Sequence, residues 1–440
     1  MEAKDRLIFA LDIDKEKALP LLDQLQGKVG MIKVNSLAAE WPEAVGEIKS
    51  RGLKVWRDWK HHDIPGTVAN FIKADVKIAV DMCTVHTIGG SAMMEAAVEA
   101  KDADLKILGI TILTSHSQLS FNVETGIQGA IQDKVIDLAL RAEEAGLDGV
   151  VASAKEATAL RKVLKPKTLI VTPGITPIWA AKREDQARVT TPKQAIINGS
   201  DYIVVGSAIY KAENPAEAAD KIVAEIKEGL KEIEWRVDQR DLAFKLFDAG
   251  IIKFGAFKLK LHEKQPDAPL SPIYIDLRIT RSIPGLLVDV AEILDKKAAR
   301  DGIEFELIAD IPTAATPIVT IMSFFNDKPM ISPKISKTHG LSGEIDGLFE
   351  PGQKVLLIDD LVTTADSKIE AAEIFEKNRL IIKDILVLVD REQGGHEALL
   401  QAGYKLHSVF KITEMLELYL EAGRINQEKY DETIAYLKGD

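Results

Sequence analysis

The sequence predicts an α/β protein, an N-terminal (β/α)8 barrel followed by a second, smaller α/β domain with a parallel sheet. The first observation is a set of β-rich runs at fairly even spacing, each ending in polar or glycine-containing residues. They are Leu7–Asp12, Gly30–Val34, Lys54–Asp58, Ala79–Val85, Leu105–Leu113, Gly149–Ala152, Thr168–Thr172 and Tyr202–Gly206. The second is the helix-like character of the stretches between them, such as Gly90–Ala100 and Gln132–Ala145. Strands alternating with helical patterns imply βαβ units and a parallel sheet. Eight such runs in roughly 210 residues suit a closed barrel, whose chemistry lies at the C-terminal ends of its strands. An open doubly wound sheet is the competing architecture.

After the eighth run, Asn214-Pro215 supplies an N-cap and first-turn pair for a charged helix through about Ile233. A further helical pattern, Leu242–Phe247, stops at Gly250, so the boundary is expected near Glu234–Asp238: residues 1–233 form one domain and 238–440 the other. Beyond it, Lys253–Leu277 reads as strands and loops, Gly285–Ala299 as helix and Glu304–Ala309 as strand. Helical or mixed structure runs to Phe325. Strands Lys354–Ile358 and Ile385–Val389 flank a helix at Ser367–Lys377, and Glu414–Leu437 reads as one or two amphipathic helices.

Fifty-six basic against sixty-eight acidic residues give a net charge of −12, which opposes general binding to nucleic acid or anionic membranes. One cysteine, Cys83, makes neither an internal disulfide nor a cysteine-based zinc site and fits a reducing compartment. Acidic residues within Met1–Arg6 do not suit a leader peptide, and no apolar run is long enough to span a bilayer. The expected location is cytoplasmic.

Mixed charges crowd the third run, Asp58-Trp59-Lys60-His61-His62-Asp63. Residues two apart on a strand share a face, so Asp58 and Lys60 are expected to point together, beside Lys33 from the second run. In one pocket such opposite charges favour each other's ionised forms. The array can set a fixed anion against a substrate carboxylate and a charged N–H where a carbanion forms. A solvated charge run is the plain alternative.

Asp58-Trp-Lys60-His-His-Asp63-Ile-Pro-Gly-Thr67 resembles the signature of the orotidine 5′-monophosphate decarboxylase family. The likeness continues through Phe9–Asp12, Ile32–Val34, Thr84–His86, Leu113–Ser115, Val171–Ile175, Glu184–Pro192 and Val204–Gly206. It implies a decarboxylation at pyrimidine C6 that needs no cofactor or metal. By resemblance Asp58 lies against the departing carboxylate, and Lys60 stabilises and protonates the C6 carbanion. Lys33, Asp12 and Thr67 contact the ribose and its network, Thr114 and Ser115 the pyrimidine, and Gln186, Gly206 and Ser207 the phosphate. Asp63 completes a neighbouring subunit's site, which implies a homodimer or higher homo-oligomer. His61, His62 and His86 read as structural or rim residues. Thr176 and Ser207 stand where bacterial relatives place phosphate-gripping arginines, so backbone N–H groups, Gln186 and Lys182 or Arg183 are expected to serve.

A second motif, Leu356-Leu-Ile-Asp359-Asp360-Leu-Val-Thr363-Thr364-Ala-Asp-Ser367, runs from an apolar strand into two acids and a hydroxyl-rich turn. Paired carboxylates can take ribose hydroxyls, and hydroxyls with free N–H groups at a helix start can cradle a phosphate. An N-capped helix after a strand is the plain alternative. The motif resembles the phosphoribosyl-diphosphate signature of type I phosphoribosyltransferases, with Ala365 and Asp366 where glycine is common. Ser271–Arg278 and Val389–Gly395 look like the orotate phosphoribosyltransferase branch, and Lys334–Gly340 like its mobile loop. By resemblance Lys334, Lys337 and His339 close over pyrophosphate, with Lys337 catalytic, while Lys260 and Arg391 hold orotate. Magnesium is expected for this transferase, carried mainly by the diphosphate.

Together the resemblances imply two consecutive steps on one chain, the arrangement of bifunctional UMP synthases. Orotate and phosphoribosyl diphosphate give orotidine 5′-monophosphate in the second domain, and its decarboxylation in the first gives UMP. An active transferase with the barrel as a scaffold, or acting on another sugar phosphate, is the alternative. A nucleic-acid regulator is opposed by the net charge.

Overall fold

The computed structural model describes residues 1–181, 189–258, 267–334 and 344–438. The chain divides into two compact units, Met1–Glu234 and Trp235–Asp440. The division falls inside a single helix, Pro215–Asp248, where the sequence reading places a break. Nothing between Glu234 and Asp241 is glycine or proline, so the charge-rich stretch continues the helix.

In the first unit the strands are β1 Leu7–Ala10, β2 Met31–Val34, β3 Lys54–His61, β4 Met82–His86, β5 Lys106–Ile110, β6 Gly149–Val151, β7 Leu169–Thr172 and β8 Tyr202–Val205. They pair in sequence order into a closed barrel, and β1 meets β8 in parallel. Alternation along each strand separates two apolar layers. Ile8, Met31, Trp56, Met82, Leu108, Val171 and Val204 fill the interior, while Phe9, Ile32, Val55, Cys83 and Ile107 pack outward under the helices. The interior row that holds Met31 and Trp56 is carried one step upward, at period two, by Lys33 and Asp58. Charged groups thus arrive at the barrel mouth because the apolar plug beneath them is complete.

In the second unit β9 Ile252–Phe257 and β10 Ser271–Ile275 form an antiparallel pair. A six-stranded sheet comprises β11 Leu307–Asp310, β12 Met330–Pro333, β13 Ile345–Asp346, β14 Lys354–Val362, β15 Ile381–Asp390 and β16 Lys405–Lys411, ordered β13-β12-β11-β14-β15-β16. The sheet is mixed rather than wholly parallel, because β13 joins β12 antiparallel at the edge. Both faces are covered. Leu356, Ile358 and Leu386 pack with Val290 and Leu294 of the helix Pro284–Arg300, whereas Val355, Leu357 and Val387 pack with Ala372 and Phe375 of the helix Asp366–Lys377. Among the described residues no helix is long and apolar enough to cross a membrane.

Barrel closure leaves no room at Gly149, where an added Cβ would lie 2.4 Å from the Leu169 carbonyl oxygen of the adjacent strand. The obstruction is backbone, so it cannot swing aside. Gly149→Ala is expected to lower stability by about 1–3 kcal/mol in a urea titration, the usual scale for overpacking.

Candidate active site

β3 carries the reactive residues, and its geometry departs from a regular strand. Arg57 pairs with Cys83 of β4, but the next match is His61 with Val85, so four steps along β3 run opposite two along β4. The extra residues form a bulge, and Lys60 within it takes a left-handed backbone with φ 50°. Asp58 and Lys60 therefore converge through the bulge rather than by plain alternation, which corrects the expectation from their spacing. Thr84 of β4 holds the bulge from the neighbouring strand. Its hydroxyl accepts the Lys60 backbone N–H at 2.9 Å and donates to Asp58 Oδ1 at 3.0 Å. Sequence reading placed Thr84 in a motif without giving it a role.

The other oxygen of Asp58 serves two cations. Lys60 Nζ donates to Asp58 Oδ2 at 2.7 Å, and Lys33 Nζ stands 3.6 Å from the same atom. Lys33 Nζ also lies 3.8 Å from Asp12 Oδ2. Asp12, Lys33, Asp58 and Lys60 thus form one chain of alternating charge across β1, β2 and β3. Depth grades them: the Asp58 side chain is 8% exposed and Lys33 11%, whereas Lys60 is 31% and Asp12 52% exposed. A buried carboxylate and its pair of ammonium groups face a mouth from which Lys60 can still reach a ligand.

The remaining residues expected around this site are more dispersed. Asp63 is exposed, and its carboxylate accepts the Ile64 N–H at 2.7 Å. Thr67 is half-buried in the first turn of the helix Pro65–Lys77, and Thr114 and Ser115 are exposed after β5. Gly206 follows β8 as the N-cap of a one-turn helix, Ser207–Tyr210, which Ser207 opens. Gln186, Lys182 and Arg183 lie outside the described residues. His61 is buried and stacks on Phe71 at 4.7 Å, while His62 and His86 stand 5.5 Å apart. Burial foremost, then the nearby His62 and Lys60, lowers the His86 pKa.

In the second unit β14 continues through Asp359 and Asp360 to Val362, four residues beyond the expected strand end at Ile358, because its pairing with β15 extends past the acids. Lys368, which sequence reading did not single out, is buried against Asp359 with Nζ 2.5 Å from Oδ2. Its only sequence signal is its place eight residues beyond the second acid, in the first turn of a helix otherwise rich in solvent-facing charge. Asp360 donates its backbone N–H to Asp359 Oδ1 at 2.8 Å, and burial together with the Asp359 charge pushes its carboxyl up to about 7. The turn that follows includes Ala365 at φ 72°, the left-handed position where a glycine is common. Asp366 accepts the Thr364 hydroxyl at 3.0 Å, Thr363 is half-buried and Ser367 exposed. Arg391 follows β15 and is buried, its Nη2 donating to Ser271 Oγ at 3.3 Å while its Nε lacks a hydrogen-bond partner among the described residues. Lys334 Nζ lies 3.4 Å from Asp346 Oδ1. Lys260, Lys337 and His339 fall outside the described residues. No cluster of three or more His, Cys, Asp or Glu fit for a metal occurs among the described residues.

Comparison with known proteins bears on the first unit. Residues 5–222 match the sequence profile of the orotidine 5′-phosphate decarboxylase / HUMPS family. Orotidine 5′-phosphate decarboxylase of Moorella thermoacetica is 42% identical over 238 residues, which span 52% of this chain and 94% of that protein. The enzyme of the same name from Trichlorobacter lovleyi is 41% identical over 239 residues, spanning 52% of this chain and 98% of its own. A solved UMP synthase from Leishmania donovani is 24% identical and covers 100% of this chain and 98% of its own at a TM-score of 0.45, a likeness too distant to carry an argument. With its barrel closed and its charged cluster in the interior row of β2 and β3, the chain belongs to the orotidine 5′-phosphate decarboxylase / HUMPS family.

Proposed function

We propose that the first unit decarboxylates orotidine 5′-monophosphate to UMP and that the second makes this substrate from orotate and phosphoribosyl diphosphate. The observation that carries the first half is the shared Asp58 oxygen between Lys60 and Lys33 at the barrel mouth. A pyrimidine carboxylate seated there meets Asp58. The C6–carboxylate bond breaks, CO₂ leaves, and the electron pair stays on C6. Lys60 Nζ, held beside Asp58, stabilises that pair through its charge and then gives C6 a proton, which water later restores. Lys33 and Asp12 are placed to take ribose hydroxyls, and Thr84 fixes the direction of Asp58. Thr67, Thr114, Ser115, Gly206 and Ser207 would complete the substrate contacts, and Asp63 the site of a second copy in a homodimer.

The second half rests on Asp359, Asp360 and Arg391. Lys368 pairs with Asp359 and leaves Asp360 as a carboxyl that titrates at about 7, suited to ribose hydroxyls or to the hydration of a cation. Magnesium, riding on the diphosphate oxygens, would supply charge neutralisation for the leaving pyrophosphate. Thr363, Thr364 and Ser367 would meet the 5′-phosphate, Lys334, Lys337 and His339 the pyrophosphate, and the buried Arg391 with Lys260 the orotate. The unpartnered Nε of Arg391 is a donor waiting for an anionic or carbonyl acceptor.

One assay separates the halves: purified chain with carboxyl-labelled orotate, phosphoribosyl diphosphate and magnesium, following CO₂ and pyrophosphate independently. Lys60→Ala is expected to reduce CO₂ release by roughly 10²- to 10⁴-fold, the usual contribution of a general acid, and to spare pyrophosphate. Lys337→Ala should do the reverse when orotidine 5′-monophosphate is supplied directly. Loss of both products from either folded variant would refute the division of labour.

Asp360 gives a pH prediction. Its carboxyl titrates near 7 in the fold and near 4 in the unfolded chain, so between those values the folded state binds the extra proton. This group's contribution to stability therefore falls as pH rises from about 4 to about 7. Asp360→Asn should flatten that part of the stability profile in urea titrations, and an unchanged slope would show that Asp360 is not the group responsible.

A further inference from the structure

The bulge that carries Asp58 and Lys60 begins at Arg57 and ends at His61, and both of those side chains turn away from the barrel mouth. Each arrives at the same carboxylate. Asp75 is fully buried on the helix Pro65–Lys77, with Arg57 Nη1 2.5 Å from its Oδ1 and His61 Nε2 3.7 Å from its Oδ2; these contacts are electrostatic, since among the described residues neither carboxylate oxygen nor His61 Nε2 has a hydrogen-bond partner. Aromatic rings back the contacts: the Arg57 guanidinium lies 3.5 Å from the Trp59 ring centre, and His61 stacks on Phe71. Phe71 and Asp75 are four apart and share one helix face. Cys83 of β4 also borders the cluster. Burial, with the Asp75 charge added, pushes its thiol up well above the ordinary range, so it stays neutral there.

Stability alone does not account for this arrangement. A buried ion cluster can be exchanged for well-packed apolar residues at little or no cost in stability, so its presence is weak evidence of a stabilising role. What distinguishes these three residues is where they act, on the two ends of the one irregular segment whose interior holds the reactive groups. Four strand residues compressed against two have several ways to pucker, and a ladder of hydrogen bonds cannot select among them where the register is broken. Fixing both ends to one carboxylate on the next helix selects one.

We propose that Asp75 is a positioning residue of the first site, its carboxylate setting the direction of Asp58 and Lys60 by clamping Arg57 and His61 at the ends of the β3 bulge. The inference deepens the decarboxylase reading and rests on it for its catalytic consequence. Thr84 holds the bulge from inside the sheet, and Asp75 holds it from behind.

The test uses the full chain and two variants, Asp75→Asn, which keeps size but removes the charge, and the triple replacement Arg57→Leu/His61→Leu/Asp75→Leu, which makes the cluster apolar. Circular dichroism establishes that each is folded, and the triple variant decides the matter if Asp75→Asn is not. Two readouts are followed: hydrogen exchange at the Lys60 ammonium by lysine-labelled NMR, and kcat against KM for orotidine 5′-monophosphate. Loss of the clamp is expected to speed Lys60 ammonium exchange and to lower kcat roughly ten- to a hundredfold with little change in KM, as for a small misplacement of a reacting group. A folded variant with wild-type Lys60 exchange and wild-type kcat overturns the proposal, and so does a fall in kcat with Lys60 exchange unchanged. Should the wild-type chain release no CO₂, the decarboxylase reading fails, and ammonium exchange alone still decides whether Asp75 orients Lys60.

Discussion

A carboxylate that is 8% exposed cannot stand alone in a barrel mouth, and the first unit is arranged around supplying Asp58 with company. Its Oδ2 faces two ammonium groups and its Oδ1 a threonine hydroxyl. Charge burial of this kind is tolerable only when every lone pair is met and the partners are held in place. Lys33 is held because it continues the inward row of β2 above Met31, and Asp58 because it continues that of β3 above Trp56. Both rows have a fixed direction because the barrel is closed and its interior is filled. The reactive cluster therefore inherits its geometry from apolar packing below it.

The second unit solves a related problem differently. Asp359 and Asp360 are neighbours in sequence within β14, and the Asp359 charge bears on the Asp360 carboxyl. Lys368 neutralises one of them, and the other pays for its burial with a pKa near 7. In the barrel, by contrast, each ion pair of the cluster joins opposite charges. The second site leaves the Arg391 Nε without a partner among the described residues.

The helix Pro65–Lys77 joins the two physical layers of the barrel site. It covers the outer face of β3 and brings Asp75 and Phe71 against Arg57 and His61. The ion cluster, in the layer between strand and helix, lies behind the break in the β3–β4 ladder. Elsewhere that layer consists of residues such as Phe9, Ile32 and Ile107, which need shape but no partner.

The amino-acid order alone carried the eight barrel strands, because short apolar runs separated by polar turns are local signals that no distant contact must confirm. It also carried Lys33, Asp58 and Lys60 as one group, but it ended at Ile358 a strand that runs on through Asp359 and Asp360. It did not carry the unbroken helix Pro215–Asp248, whose charge-rich middle reads as a junction, nor β16 Lys405–Lys411, where lysines and a histidine blur the strand pattern. The two extra residues in β3, the grip of Thr84 on Asp58, the burial of Lys368 and the meeting of Arg57 and His61 on Asp75 were beyond it. Each of these depends on where a neighbouring strand or helix comes to lie. Periodicity is a property of consecutive residues, whereas register and burial are properties of their partners, and only folding brings the partners together.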